Sequence, residues 1–352
     1  MLVLIVFDFC IKILVVRKTI QCDCVLIIRL DAIGDYILFR NFIKELAASE
    51  KFKGKKIHII GNAIWSDIFE ELDREYIELF IELDRTKFYN HLFYRYKKLK
   101  PLLSLSYEAI ISPVYSRDFF YADSIVALLN SSEKIGSHGD YSNISRWQKA
   151  ISDSYYSRLI PAQKKLMFEF YRNLEFFEGL LGVKLTITRP KIELSDVLTK
   201  IALPLNYAVL FIGASVKYRK WEIENFAKVA QHLQCRYGLD IVLCGASQDY
   251  SDSLEFEQVY AKEVFNLVGK TSLVDLMKVL NNSRVLISNE TSAPHFAVAL
   301  DKPEVFVVSN GNHFGRFTPY PKEMTNKYHV VYHPDIEANL DNYQELSNCY
   351  GY

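Results

Sequence analysis

Short apolar runs alternate with segments of helical period along most of the chain. Residues 25–29 form a run of β-formers closed by Arg29, and apolar residues recur at helical spacing over 34–48 directly afterwards. The same alternation predicts strands at 56–61, 77–83 and 109–114, and helices at 64–72, 87–99 and 119–129. Buried strands separated by helices imply a parallel sheet covered on both faces. Over 136–161 the period fails, and SHGDYSNISRWQKAISDSYYSR reads as a long loop or lid. A helix over 163–181 follows and stops at Gly182.

A stretch with two prolines and no strong period, TITRPKIELSDVLTKIALPLN, then separates two halves. The alternation restarts at Tyr207, with strands opening YAVLFIGAS and LDIVLCGAS and further strands at 264–268, 284–288 and, last, 305–309. Helices are expected at 221–235, 254–261, 273–280 and 295–300. The expected fold class is α/β, with two Rossmann-like α/β/α domains facing each other across a cleft. The expected boundaries are a hydrophobic segment 1–23, a first domain 24–190, a linker 191–205, a second domain 206–335 and a tail 336–352.

Composition narrows the partners. The chain has 352 residues, half of them hydrophobic, which is enough for two cores. Lys+Arg and Asp+Glu number 42 each, so no global field draws it to nucleic acid, and any anion site must be local. The six cysteines form no C-x-x-C pair, which argues against a disulfide framework or structural zinc and for reduced thiols. Residues 1–16 are almost all apolar, interrupted by Asp8 and Lys12. That is short for a span of about 20 residues, and neither a basic start nor a cleavage site marks a signal peptide. Two readings stay open: a helix on a bilayer with Arg17 and Lys18 at the headgroups, or a first core element, perhaps a strand. Membrane surface contact through residues 1–18 is the preferred expectation.

In open α/β sheets ligands bind beyond the carboxyl ends of the strands, so the turns there carry the candidate chemistry. The first turn, LDAIGD, holds Asp31, Gly34 and Asp35. A single glycine is not the dinucleotide fingerprint, and locally an aspartate here is as simply a helix cap. In the second half, Ser215, Lys217, Arg219 and Lys220 precede Trp221, and three cations by a helix start suit a diphosphate. The plain alternative is a solvated basic turn. Ser247, Gln248 and Asp249 could hold a ribose or base, or merely start a helix. Glu290, Thr291, Ser292, Pro294 and His295 lead into a helix of small residues, a build suited to phosphate. The loop NGNHFGRFTPYPKE, with Gly311, Gly315 and Arg316, reads as a binding wall.

VLIIRLDAIGDYIL, GAS…KYRKW, SNETSAPHFAVAL and GRFTPYP, in that order, resemble glycosyltransferase family 9, the heptosyltransferase-like enzymes of bacterial surface polysaccharide synthesis. The resemblance implies a GT-B fold, a nucleotide-sugar donor on the second domain and a glycan or lipid-linked acceptor on the first. It implies transfer of heptose or a similar sugar to lipopolysaccharide or another cell-surface glycan, without cofactor or metal; a lipid-linked acceptor together with the apolar N-terminus leads to the expectation of peripheral attachment to the cytoplasmic face of the inner membrane. Asp35 matches the family's general base. Ser215, Arg219, Lys220, Asp249, Glu290, Thr291, Ser292 and His295 fall on the donor side, and Asp31, Gly34 and Arg316 on the acceptor or turn side. Arg219 stands where the family often has lysine, Glu290 where it has aspartate, and Ser292 to His295 where it has a Thr-Gly-x-x-His-like run. A non-catalytic binding protein of the same fold and a nucleotide-sugar epimerase are the rival expectations.

Overall fold

The computed structural model describes residues 2–14, 20–21, 23–194 and 201–342. The chain divides into two compact units, 1–165 with 169–187 and 166–168 with 188–352. Much of the expected linker lies outside the described residues.

Unit 1 contains α1 (Leu2–Leu14), β1 (Ile20–Gln21), β2 (Cys24–Arg29), α2 (Ile33–Phe39), α3 (Asn41–Ala48), β3 (Lys56–Asn62), α4 (Ser66–Leu72) and β4 (Leu79–Leu83). It continues with α5 (Arg85–Asn90), α6 (Leu92–Leu103), β5 (Leu105–Ser112), α7 (Ser124–Leu128), β6 (Asn130–Ser137), α8 (Arg146–Asp153), β7 (Arg158–Ile160) and α9 (Glu169–Leu181). Unit 2 contains β8 (Tyr207–Phe211), α10 (Ile223–Tyr237), β9 (Asp240–Cys244), α11 (Tyr250–Tyr260), β10 (Phe265–Asn266), α12 (Leu273–Asn282) and β11 (Val285–Asn289). It ends with α13 (Ala293–Leu300), β12 (Glu304–Ser309), β13 (Tyr328–Tyr332) and α14 (Pro334–Glu337).

Both sheets are parallel, ordered β4-β3-β2-β5-β6-β7, with β1 added to β5, and β10-β9-β8-β11-β12-β13. Each order is 3-2-1-4-5-6 in chain sequence, the Rossmann arrangement. Every residue of β2 is buried, as a strand covered on both faces requires. The strand order reverses between β2 and β5 in unit 1 and between β8 and β11 in unit 2, and the crevices beyond those strand ends are where such sheets take ligands.

Several expectations need correction. The helix over 34–48 is two, α2 and α3, and that over 87–99 is α5 and α6, parted by His91 in an extended conformation. Residues 119–129 start with a π-helical turn, Phe119–Asp123, before α7. The stretch read as a lid holds the end of β6, all of α8 and β7. Period reading misses α8 because polar residues seat it: buried Lys149 donates to the His138 carbonyl (2.6 Å) and binds Asp153, which also pairs with buried Arg117. Its start is a capping box of Ser145 and Gln148. The strand at 305–309 is not the last, since β13 pairs beside it. Cys10, Cys235 and Cys244 are free thiols, but Cys24 is disulfide-bonded, against the expectation of reduced thiols.

The N-terminal segment satisfies neither reading alone. It is a helix, not a strand, and it packs on unit 1: Leu4 and Ile11 are buried, Ile11 within the unit 1 core. Asp8, on the same face, forms a two-point ion pair with fully buried Arg95 (2.7 and 2.5 Å). Lys12 donates to the Ala127 carbonyl at 3.1 Å. The opposite face shows Val3, Ile5, Val6, Phe9 and Ile13 to solvent.

Candidate functional site

The turn after β2 is fixed by its own backbone. The Leu30 carbonyl accepts from Asn62 Nδ2 (3.1 Å) and Arg85 Nη1 (3.0 Å), and the Asp31 carbonyl from Asn62 Nδ2 and Trp65 Nε1 (both 3.1 Å). Arg29, which closes the strand, is fully buried with Nε 3.0 Å from Asp31 Oδ2 and Nη2 3.6 Å from Glu169 Oε1. Its Nη1 donates to Asn173 Oδ1 at 3.1 Å and its Nη2 to the Asp35 carbonyl at 3.4 Å. Asp31 therefore neutralises a buried guanidinium. The N-cap is Ala32, without a side-chain bond, so neither aspartate caps α2. Gly34 and Asp35 lie in its first turn, partly exposed. Beyond β5, Arg85 Nη2 holds Asp118 Oδ2 at 2.9 Å. Burial raises the Asp118 pKa, Arg85 opposes the rise, and the Asp31 charge adds to it.

In unit 2 the switch point is clamped by Asn289, the buried last residue of β11. Its Nδ2 donates to the Ile212 carbonyl (2.8 Å), and its Oδ1 accepts from Trp221 N–H (2.9 Å). The turn after β8 and the turn after β11 are thus one assembly. Lys220 and Asp249 bind each other: Lys220 Nζ reaches Asp249 Oδ1 (2.9 Å) and Asp252 Oδ2 (2.6 Å). Partial burial works against the Lys220 charge, but its bonds to Asp252 and Asp249 outweigh that and raise its pKa. Asp249 Oδ2 also accepts from Ala246 N–H at 3.0 Å. A Cβ at Gly213 would lie 2.1 Å from that oxygen, so this glycine makes room for a carboxylate of the scaffold. Ser215 is exposed, and Thr291 and Ser292 are partly exposed.

Arg219 is different. Its Nε is buried with no hydrogen-bond partner among the described residues, and its Nη2 lies 3.2 Å from His313 Nε2. His313 Nδ1 is 3.2 Å from Glu290 Oε1, and Glu290 Oε2 accepts from Ser309 Oγ at 2.9 Å. His295, in the first turn of α13, is buried with Nδ1 2.7 Å from Tyr320 Oη. Burial, helped by His313, drives its pKa down to about 3, so it is a neutral hydrogen-bonding group rather than a cation. Arg316 lies over the neighbouring Phe317 ring (5.1 Å) in the loop before β13.

The structure thus gathers Arg219, Glu290, Thr291, Ser292 and His295 at one switch point and Asp31, Gly34 and Asp35 at the other. Sequence reading missed Arg29, Glu169, Arg85 and Asp118, and it quoted the loop containing His313 without singling that residue out. Arg29 could have been flagged as a charge closing an otherwise apolar strand.

Two Rossmann units, each with its charged residues at the switch point, define a GT-B-type protein. The chain belongs to glycosyltransferase family 9 (heptosyltransferase), whose model matches residues 96–339. The heptosyltransferase WaaC of E. coli, solved with ADP, superposes with a TM-score of 0.69 at 18% identity, covering 93% of this chain and 99% of that one. E. coli ADP-heptose lps heptosyltransferase II gives 0.65 at 15% identity with the same coverage. Lipooligosaccharide heptosyltransferase 2 of Haemophilus influenzae is 27% identical over 89 residues, and that of Haemophilus ducreyi 28% over 105. These matches span 24% and 29% of this chain and only 25% and 30% of those relatives.

Proposed function

We propose that the protein is a glycosyltransferase that moves a sugar, heptose or similar, from a nucleoside-diphosphate donor to a lipopolysaccharide or other cell-surface glycan acceptor. The observation that carries this is Arg219, a cation with a buried, unpartnered Nε at the switch point of a family 9 Rossmann unit. Asp35 takes the proton of an acceptor hydroxyl as that oxygen bonds to the anomeric carbon. The bond from that carbon to the diphosphate breaks, and the departing diphosphate gains negative charge. Arg219 and the N–H groups that start α13 stabilise it. Lys220 acts behind them, since its charge is already met by Asp249 and Asp252. With protein groups supplying the positive charge, the reaction needs no divalent cation.

ADP-heptose is the first donor to test, because the E. coli relatives are described with ADP and ADP-heptose. Transfer to a core glycan acceptor in the presence of a chelator is the expected result. Loss of transfer on chelation would overturn the metal-free part. Donor hydrolysis and transfer both absent, with binding intact, would make the protein a binding module.

The same reading includes peripheral attachment to the cytoplasmic face of the inner membrane. No helix among the described residues is long and apolar enough to cross a membrane. The outer face of α1 is nonetheless apolar throughout Val3, Ile5, Val6, Phe9 and Ile13, with Phe9 62% exposed. On α6, which packs against α1, Phe93 is 79% exposed and shares a helical face with exposed Lys97 and Lys100. Exposed apolar residues on α1 and lysines on α6 match an anionic bilayer surface better than a second copy of a chain with zero net charge. Val6→Ser, Phe9→Ser and Ile13→Ser together should abolish co-sedimentation with vesicles containing phosphatidylglycerol. A change from dimer to monomer instead would identify the face as a contact between copies.

A further inference from the structure

His313 lies between a cation and an anion, and its hydrogen bond to the cation has a direction. A guanidinium only donates, so His313 Nε2, 3.2 Å from Arg219 Nη2, must accept. That places a ring proton on Nδ1, which lies 3.2 Å from Glu290 Oε1, an ion-pair distance without hydrogen-bond geometry, since that oxygen has no hydrogen-bond partner among the described residues. The loop is built to keep it there. Gly311 N–H donates to Ser309 Oγ (3.0 Å), Ser309 Oγ donates to Glu290 Oε2, and Asn310 Nδ2 donates to the Tyr218 carbonyl (3.1 Å). The Phe317 ring packs edge-on, with centroids 5.3 Å apart.

We infer that His313 is a positioning residue for the donor diphosphate: it holds the Arg219 guanidinium by one terminal nitrogen so that Nε stays free for a phosphate oxygen. The inference rests on the donor reading above. The charged and titratable groups at the imidazole are Arg219 from the turn after β8, and Glu290 and His295 from the turn after β11 and α13. Tyr320, bonded to His295, and Arg316 belong to the loop of His313 itself. A second proton on His313 would go to Nε2, remove the acceptor and set N–H against N–H. Glu290 would welcome that charge, so the cost falls on Arg219, which loses its support.

The test is ADP-heptose binding by the full chain, measured by calorimetry at one fixed pH. His313→Ala should bind about tenfold more weakly than wild type. His313→Gln, whose carbonyl can accept from Arg219, should bind as wild type does. Unchanged affinity in His313→Ala, or the same loss in His313→Gln, would overturn the inference. In the unliganded protein, nitrogen-15 spectra should show the Nδ1–H tautomer of His313, and the Nε2–H tautomer would also sink it. Failure of ADP-heptose to bind wild type, with that tautomer seen, would fell the donor reading and this role with it.

Discussion

The junctions β2→α2 and β11→α13 each border the switch point of a sheet of the same strand order, the first on the inner strand that opens its sheet and the second on the strand across the reversal, yet they handle charge in opposite ways. At the first, fully buried Arg29 is surrounded by Asp31, Glu169 and Asn173, and the turn's carbonyls are all engaged. Its Arg29, Asp31 and Glu169 charges are scaffold, and Asp35 stands partly exposed in the first turn of α2. At the second, Asn289 locks the turns together; Arg219 Nε, like Arg29 Nε, is buried with no hydrogen-bond partner among the described residues, but Arg29 Nε has Asp31 Oδ2 at 3.0 Å whereas Arg219 meets a histidine, His313. One topology therefore carries a turn whose buried arginine is met by carboxylates and a turn whose arginine is met by a histidine.

The sharpest break of this contrast is Asp35→Asn. On the proposed general-base role its loss should cut turnover by about 10²–10⁴ while donor affinity stays unchanged, read from steady-state rates and calorimetry. Normal turnover would leave the first junction without a catalytic group. Arg29→Leu should act on stability alone. It strands Asp31 and Glu169, costs roughly 3–5 kcal/mol, and appears in urea unfolding. A small loss would mean that the charges at this junction are not held together as described. Arg219→Ala should weaken donor binding by about 1.5–3 kcal/mol without loss of fold, and Arg219→Lys should fall between, since lysine lacks the fork.

A smaller effect concerns pH. His295 is held near pKa 3 in the folded protein against 6.5 for a free histidine. The unfolded chain binds the proton first, so stability is full above about pH 6.5 and declines as pH falls toward about 3, by at most ~1.4 kcal/mol per unit. His295→Gln should remove that part of the slope in thermal melts. The smallest effect on stability, within about 0.5 kcal/mol, is expected from the three serine substitutions on the outer face of α1, because those side chains touch little.

Legibility followed chemistry. The strands of both sheets' centres were readable because a strand covered on both faces must be apolar nearly throughout, as VLII and YAVLF are. The helix α8 and strand β6 were not, since Lys149, Ser152 and Asp153 seat α8 by polar bonds, and NSSEKIGS pairs without an apolar run. In the candidate site, turns with Gly, Ser and Thr were legible as strand-end turns, and the structure places them beyond the strand ends at the switch points. Partner choice did not show: nothing local says that Lys220 is bound by Asp249 and Asp252, or that His313, far along the chain, meets Glu290 and Arg219.

The two-point bond between Asp8 and buried Arg95 has a mechanical consequence. A helix held that way cannot peel off to plunge into lipid, because Arg95 would lose the carboxylate of Asp8 and keep only the neutral acceptors, the Phe120 carbonyl and Ser124 Oγ, at roughly 3–5 kcal/mol. It behaves as a keel rather than a tether. Resting on a surface, a keel fixes the tilt of the body it belongs to, so unit 1 would meet the bilayer in one attitude instead of tumbling on a leash. A substrate confined to the same surface would then be met always from the same side, and the search would be reduced from three dimensions to two.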